Sequence, residues 1–132
     1  MIDRKLKILI VDDDIINMML AKAMISNVLI NLEITEAVNG KIALEKAIAN
    51  DFDIIFMDVQ MPIMNGNEAT KAIRIHEKTI NRHTIIVGIT AGVLKEDRER
   101  CLSSGMDEFL TKPIESAKLK ETIDRVLSNN LL

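Results

Sequence analysis

Five polar residues carry the chemistry open to this chain: Asp12 and Asp13 close one apolar run, Asp58 closes a second, Thr90 ends a third, and Lys112 follows a fourth. Three carboxylates brought together repel by roughly several kcal/mol per close pair at an intermediate effective dielectric, so a compensating cation is expected. Oxygen ligands select a hard ion, and magnesium accepts one or two carboxylates while keeping water or phosphate oxygens as its other ligands. A carboxylate beside such an ion, with a lysine and a hydroxyl nearby, is equipped to take up a phosphoryl group, because metal and ammonium screen the incoming charge while the carboxylate attacks. Asp58 is the candidate nucleophile.

These residues can meet only if the apolar runs are neighbouring strands. Leu6 to Val11 (LKILIV) reads as a buried strand, and Ile15 to about Leu29 as a helix with Asp14 as its cap and Ile16, Leu20, Ala23, Met24 and Val28 on its apolar face. Leu32 to Val38 alternates apolar with polar residues, the pattern of an edge strand with one wet face. Asn39-Gly40 opens a second helix, Asp53 to Met57 is a strongly apolar third strand, and Asn65-Gly66 opens a third helix through Ala69, Ala72 and Ile73. Thr84 to Thr90 predicts the fourth strand, Leu94 to Ser104 a helix stopped by Gly105, Asp107 to Leu110 the fifth strand, and Ser116 the cap of a last helix through Leu119, Ile123, Val126 and Leu127. Five strand-helix units in series predict an α/β fold, a doubly wound parallel (βα)5 sheet. Only the second strand reads as half wet, which favours the order 2-1-3-4-5 and puts the ligand site beyond the carboxyl ends of strands one and three.

Composition removes other classes. The chain has 132 residues, 48% hydrophobic and 28% charged, which suits one folded soluble domain over 1–132 and excludes a disordered chain. A net charge of −3 and three Phe with no Tyr or Trp leave neither a basic surface nor stacking platforms for nucleic acid. Cys101 is the single cysteine, so neither an internal disulfide nor a zinc site follows, and a reduced, cytoplasmic setting is expected. The basic opening MIDRK leads into an apolar stretch that three aspartates end too soon for a signal peptide, and no window approaches the ~20 apolar residues of a membrane span. His76 and His83 lie too far apart along a helix to share an ion and are given no role. An isolated Asp12-Asp13-Asp14 run would be a helix cap with solvated neighbours. Asp58 directly after an apolar strand changes that reading, because a buried charge there is costly without a metal.

The segments LKILIVDDD, IIFMDVQMPIMNG, GITAG and DEFLTKPI, in this order and spacing, resemble the receiver domain of two-component response regulators, and the wording around Asp58 and Lys112 is most similar to receivers of hybrid histidine kinases. The resemblance implies a flavodoxin-like fold, Asp12 and Asp13 as the acidic metal pair, Asp58 as phosphoacceptor, the Gln60 carbonyl as a further ligand to Mg2+, Thr90 as switch hydroxyl, Phe109 as switch aromatic and Lys112 as the phosphate-pairing lysine. It also implies a cis Lys112-Pro113 bond. The partners implied are a histidine kinase or histidine phosphotransfer protein and a downstream protein target on the face of the fourth helix, fifth strand and fifth helix. Such a chain is a signalling switch whose catalysis is limited to its own phosphorylation and dephosphorylation. With no output domain after the last helix, it is expected to be a stand-alone regulator or a module of a larger protein. Asp14 and Gly92 depart from the commonest receiver pattern, which has Asn and a side chain at those places.

Two other readings compete. Asp12-Asp13-Asp14 contains the D-x-D of haloacid dehalogenase-like phosphohydrolases, but no second acidic pair follows the fourth strand, where that chemistry needs one. A non-phosphorylated interaction domain would keep the fold alone.

Overall fold

A computed structural model describes residues 5–92 and 94–130; the opening residues before Lys5 and the far end of the 1–132 span lie outside the described residues. Strand and helix alternate as β1 (Leu6–Val11), α1 (Ile15–Val28), β2 (Leu32–Ala37), α2 (Gly40–Ala49), β3 (Ile54–Asp58), α3 (Gly66–Ile80), β4 (Ile85–Thr90), α4 (Lys95–Ser104), β5 (Glu108–Thr111) and α5 (Ser116–Asn130). All pairings are parallel and the sheet order is β2-β1-β3-β4-β5, the flavodoxin-like arrangement. β3 and β4 are buried along their whole length, whereas β2 is half wet, as an edge strand must be.

Alternation along each central strand splits the core in two. Ile8, Ile10, Ile54, Phe56 and Val87 meet Met18 and Ile25 of α1 and Leu119, Ile123 and Val126 of α5. Leu9, Val11, Ile55, Met57 and Ile86 meet Ala43, Ala69, Ile73 and Cys101 of the three helices on the other side. Each fully buried large aliphatic of this kind contributes about 1.5–3 kcal/mol relative to exposure.

The third and fifth strands lie one residue later than their apolar runs suggest, so Asp58 and Thr111 are strand residues. Ser116 is the first residue of α5 rather than its cap. The larger difference is in α1, which turns Met18, Ala21 and Ile25 inward and leaves Ile16 and Leu20, read as its apolar face, 68% and 57% exposed. That helix is apolar on nearly every side, so spacing alone does not choose the face.

At the amino ends of β4 and β5 a polar hub joins three elements. Arg74 of α3 donates to the carbonyls of Gly105 and Thr84 and to the carboxylates of Glu77 and Asp107 at 2.6–2.9 Å. Glu77 accepts from the Thr84 N–H, Asp107 from the Ile86 N–H, and Asp107 also meets His83 Nε2 at 2.6 Å. His83, given no role by sequence reasoning, is thus an outer member of this hub. Arg74→Ala leaves Glu77, 4% exposed, as a buried carboxylate without its guanidinium. We expect a loss of about 3–5 kcal/mol in urea unfolding; a loss below about 1 kcal/mol would show that the hub is not what holds this end of the sheet.

Candidate functional site

At the opposite end of the sheet, Val11 pairs with Met57, so the residues that follow, Asp12 and Asp58, leave adjacent strands side by side. One carboxylate oxygen from each of Asp12, Asp13 and Asp58 lies within 4.8 Å of the others. Asp12 is 6% and Asp58 2% exposed, while Asp13 faces solvent. Like charges at that distance repel by roughly 3 kcal/mol per pair at an effective dielectric of about 20. Lys112, on the turn after β5, sets its Nζ 3.0 Å from Asp58 Oδ1.

Local backbone fixes these side chains. Asp12 Oδ1 accepts from the Asp14 N–H at 2.9 Å, and Asp14 caps α1 by accepting from the N–H groups of Ile16 and Asn17. The Gln60 N–H lies near enough to the Asp58 carboxylate to lower its pKa. Gly66 opens α3 against the Asp58 carbonyl, where a Cβ would come within 2.2 Å of the oxygen. Only glycine lets the Asn65–Glu68 capping box start the helix this close to the strand end.

Thr90 ends β4, buried, and its Oγ1 accepts from the Gly92 N–H at 3.0 Å. As an acceptor there, the hydroxyl keeps its own proton free to donate elsewhere. A Cβ on Gly92 would come within 2.3 Å of Asp97 Oδ2, so the bare glycine is what lets the first turn of α4 sit against this loop. The Lys112-Pro113 bond is cis, as the resemblance implied.

The structure therefore gathers Asp12, Asp13, Asp58 and Lys112 at one point, with Thr90 at the end of the neighbouring strand. Gln60 is exposed beside them. Phe109 is not among them: it lies within β5 opposite Gly88, half-buried, with the Arg98 guanidinium 5.7 Å from its ring centroid. Sequence reasoning missed Arg98, which belongs to a mostly solvent-facing charged run and meets the ring only through packing of α4 on β5.

Burial raises the pKa of Asp58 most, with Asp12 adding to the rise and Lys112 and the Gln60 N–H opposing it. Asp12 is raised first by burial and then by Asp13 and Asp14, against the Asp14 N–H and Lys112. Both carboxyls are held neutral more readily than in an unfolded chain. An all-oxygen donor set with excess negative charge fits a hard divalent cation.

The sequence model of the response regulator receiver domain matches residues 8–124. The chain belongs to this receiver family. Hybrid signal transduction histidine kinase L of Dictyostelium discoideum is 37% identical over 127 residues, covering 93% of this chain and 7% of the kinase. Sensor protein GacS of Pseudomonas syringae is 35% identical over 118 residues, covering 89% of the chain and 13% of the sensor. The chain thus spans a small fraction of these relatives.

Among solved structures, the receiver domain of a sensor histidine kinase from Pseudomonas aeruginosa, with magnesium coordinated in its active-site cleft, superposes with a TM-score of 0.82 at 32% identity, covering 94% of this chain and 98% of that one. The receiver domain of Ssk1 from Saccharomyces cerevisiae, crystallised with the histidine phosphotransfer protein Ypd1, gives 0.81 at 31% identity over 93% and 89% of the two chains. This receiver is therefore a two-component phosphorelay module with a signalling-switch fold. Among the described residues no helix is long and apolar enough to cross a membrane.

The raised carboxyls fix a sign. A group whose folded pKa lies above its unfolded value adds stability that is present at low pH and lost as pH climbs through the folded pKa. Asp58→Asn is therefore expected to raise the melting temperature of the metal-free protein more at pH 7 than at pH 4, where the wild-type carboxyl carries less charge. An equal gain at both pH values in thermal melts would mean that the charge of Asp58 is not what strains this site.

Proposed function

We propose that this receiver takes a phosphoryl group from a phosphohistidine onto Asp58: the phosphorus–nitrogen bond breaks, a phosphorus–oxygen bond to the carboxylate forms, and the imidazole leaves. The observation that carries this is the meeting of Asp12, Asp13 and Asp58 within 4.8 Å, with Lys112 3.0 Å from Asp58. Asp12, Asp13, Asp58 and the Gln60 carbonyl would hold Mg2+, which when bound offsets the charge of the carboxylates and phosphoryl oxygens. Lys112 supplies a fixed positive charge beside the acceptor, and the Thr90 hydroxyl supplies a donor for a phosphoryl oxygen.

Movement of Thr90 toward the phosphoryl group would open space behind β4 for Phe109, altering the α4, β5 and α5 face that we assign to the downstream target. In this reading residues 1–132 form one cytoplasmic receiver domain. Its catalysis is limited to its own phosphorylation and dephosphorylation.

Intact-mass measurement after incubation with acetyl phosphate and Mg2+ tests the chemistry. Wild type should gain one phosphoryl group, Asp58→Ala none, and Asp13→Ala far less. A gain in Asp58→Ala equal to wild type would overturn the assignment, and no gain in wild type would leave a non-phosphorylated interaction domain. Phosphomonoester turnover lost in Asp12→Asn but kept in Asp58→Asn would favour the phosphohydrolase.

The phosphohistidine donor is proposed to dock on the apolar rim of the site. Ile15, Ile16 and Met19 of α1 are 64–76% exposed beside Asp13. In the loop between β3 and α3, Ile63 is 77% exposed at a φ of 71°, a left-handed conformation that costs a β-branched residue on the order of 1–3 kcal/mol. Strain spent on displaying an apolar side chain to water marks a contact. Ile63→Asn, which tolerates that φ, should stabilise the protein by about 1 kcal/mol and slow transfer from phosphorylated Ypd1 by about fivefold or more. Uptake from acetyl phosphate should stay unchanged. Equal slowing with both donors would place Ile63 in the chemistry instead.

A further inference from the structure

The switch aromatic here is Phe109, and a phenylalanine has no hydroxyl to favour the surface side of its pocket. Its ring nevertheless borders a surface groove of about 380 Å³, also lined by Arg98, Pro113, Lys118, Thr122 and Arg125. Arg98, in the first turn of α4, stands over the ring at 5.7 Å from its centroid. The other arginines nearby are committed to carboxylates: Arg100 lies 3.6 Å from Asp97 and Arg125 2.8 Å from Glu108. Among the described residues, Arg98 has the ring of Phe109 as its partner.

A guanidinium over an aromatic face is attracted by the ring quadrupole, and the attraction depends on the ring staying where the cation can remain hydrated. If the ring turns inward, Arg98 cannot follow without losing water around its charge. The contact therefore exists in the surface position alone.

We propose that Arg98 is a positioning residue that latches Phe109 at the surface of the unphosphorylated protein, in the place of the missing hydroxyl. The proposal rests on the reading of Thr90 and Phe109 as a switch pair. It also gives the site a route to the latch. Asp97 packs against Gly92, whose N–H donates to Thr90 Oγ1, so the loop that Thr90 belongs to touches the turn of α4 that carries Arg98. A shift of Thr90 then acts on the ring from both sides, opening space behind β4 and displacing its cation.

The test needs no phosphoryl group. With 13C-labelled phenylalanine rings, the relaxation caused by a soluble nitroxide reads how far each ring is exposed, and buried Phe52 and Phe56, 4% and 0% exposed, serve as references. A side chain that merely covers Phe109 predicts that Arg98→Ala makes the ring more exposed. A latch predicts the reverse, with the inward population rising about two- to fivefold and the relaxation at Phe109 falling. Arg98→Gln, which keeps the cover and removes the charge, should fall likewise. A rise or no change in Arg98→Ala, or a wild-type value in Arg98→Gln, overturns the latch. Failure of Asp58 to take a phosphoryl group is read separately by mass and leaves this measurement intact.

Discussion

Two aspartates nearly sealed from water, Asp12 at 6% and Asp58 at 2% exposure, with Asp13 beside them and one ammonium in reach, set the terms for the rest of the molecule. Such an arrangement opposes folding, and it persists because the surrounding sheet holds it. Register brings Asp12 and Asp58 out of adjacent strands, Gly66 lets α3 begin against the Asp58 carbonyl, the Asp14 N–H donates to Asp12, and the nearby Gln60 N–H favours charged Asp58. The neighbouring N–H groups lower pKa values that burial raises, and burial wins at both carboxyls. A divalent cation, which neutralises charge at this point, meets a site already biased toward it.

The fold was legible because the central strands β1, β3 and β4 are apolar and buried almost throughout and the edge strand β2 is not. The wet face of β2 identified an edge, and with one edge known the parallel crossovers left few orders to choose from. The site was legible for a related reason: a charge at the end of a buried strand has few benign readings. What could not be read were contacts that depend on rotation and on distance in sequence. α1 carries apolar residues on nearly all sides, so its inward face is decided by the partners Ile8, Ile10 and Ile54 rather than by its own spacing. Arg98 over Phe109, and Arg74 with Asp107 and His83, join elements many residues apart, and no local pattern announces them.

The two ends of the sheet differ in what they can do. At the amino ends of β4 and β5, Arg74 ties α3 to the carbonyls of Thr84 and Gly105 and to Asp107, which also accepts from the Ile86 N–H. Moving any one of these elements there breaks several partly buried, charge-assisted bonds together. Toward the carboxyl ends, the Thr90 hydroxyl accepts one hydrogen bond from Gly92 and Lys112 reaches Asp58 by one ion pair, while within β5 the ring of Phe109 meets Arg98 by one cation–π contact. In the proposed switch, a disturbance at Asp58 would travel toward Thr90, α4 and Phe109, away from the Arg74 hub. In that reading the hub gives the amino ends of β4 and β5 a fixed base, so that small displacements near Thr90 would alter the groove between α4 and α5 rather than shift the whole sheet.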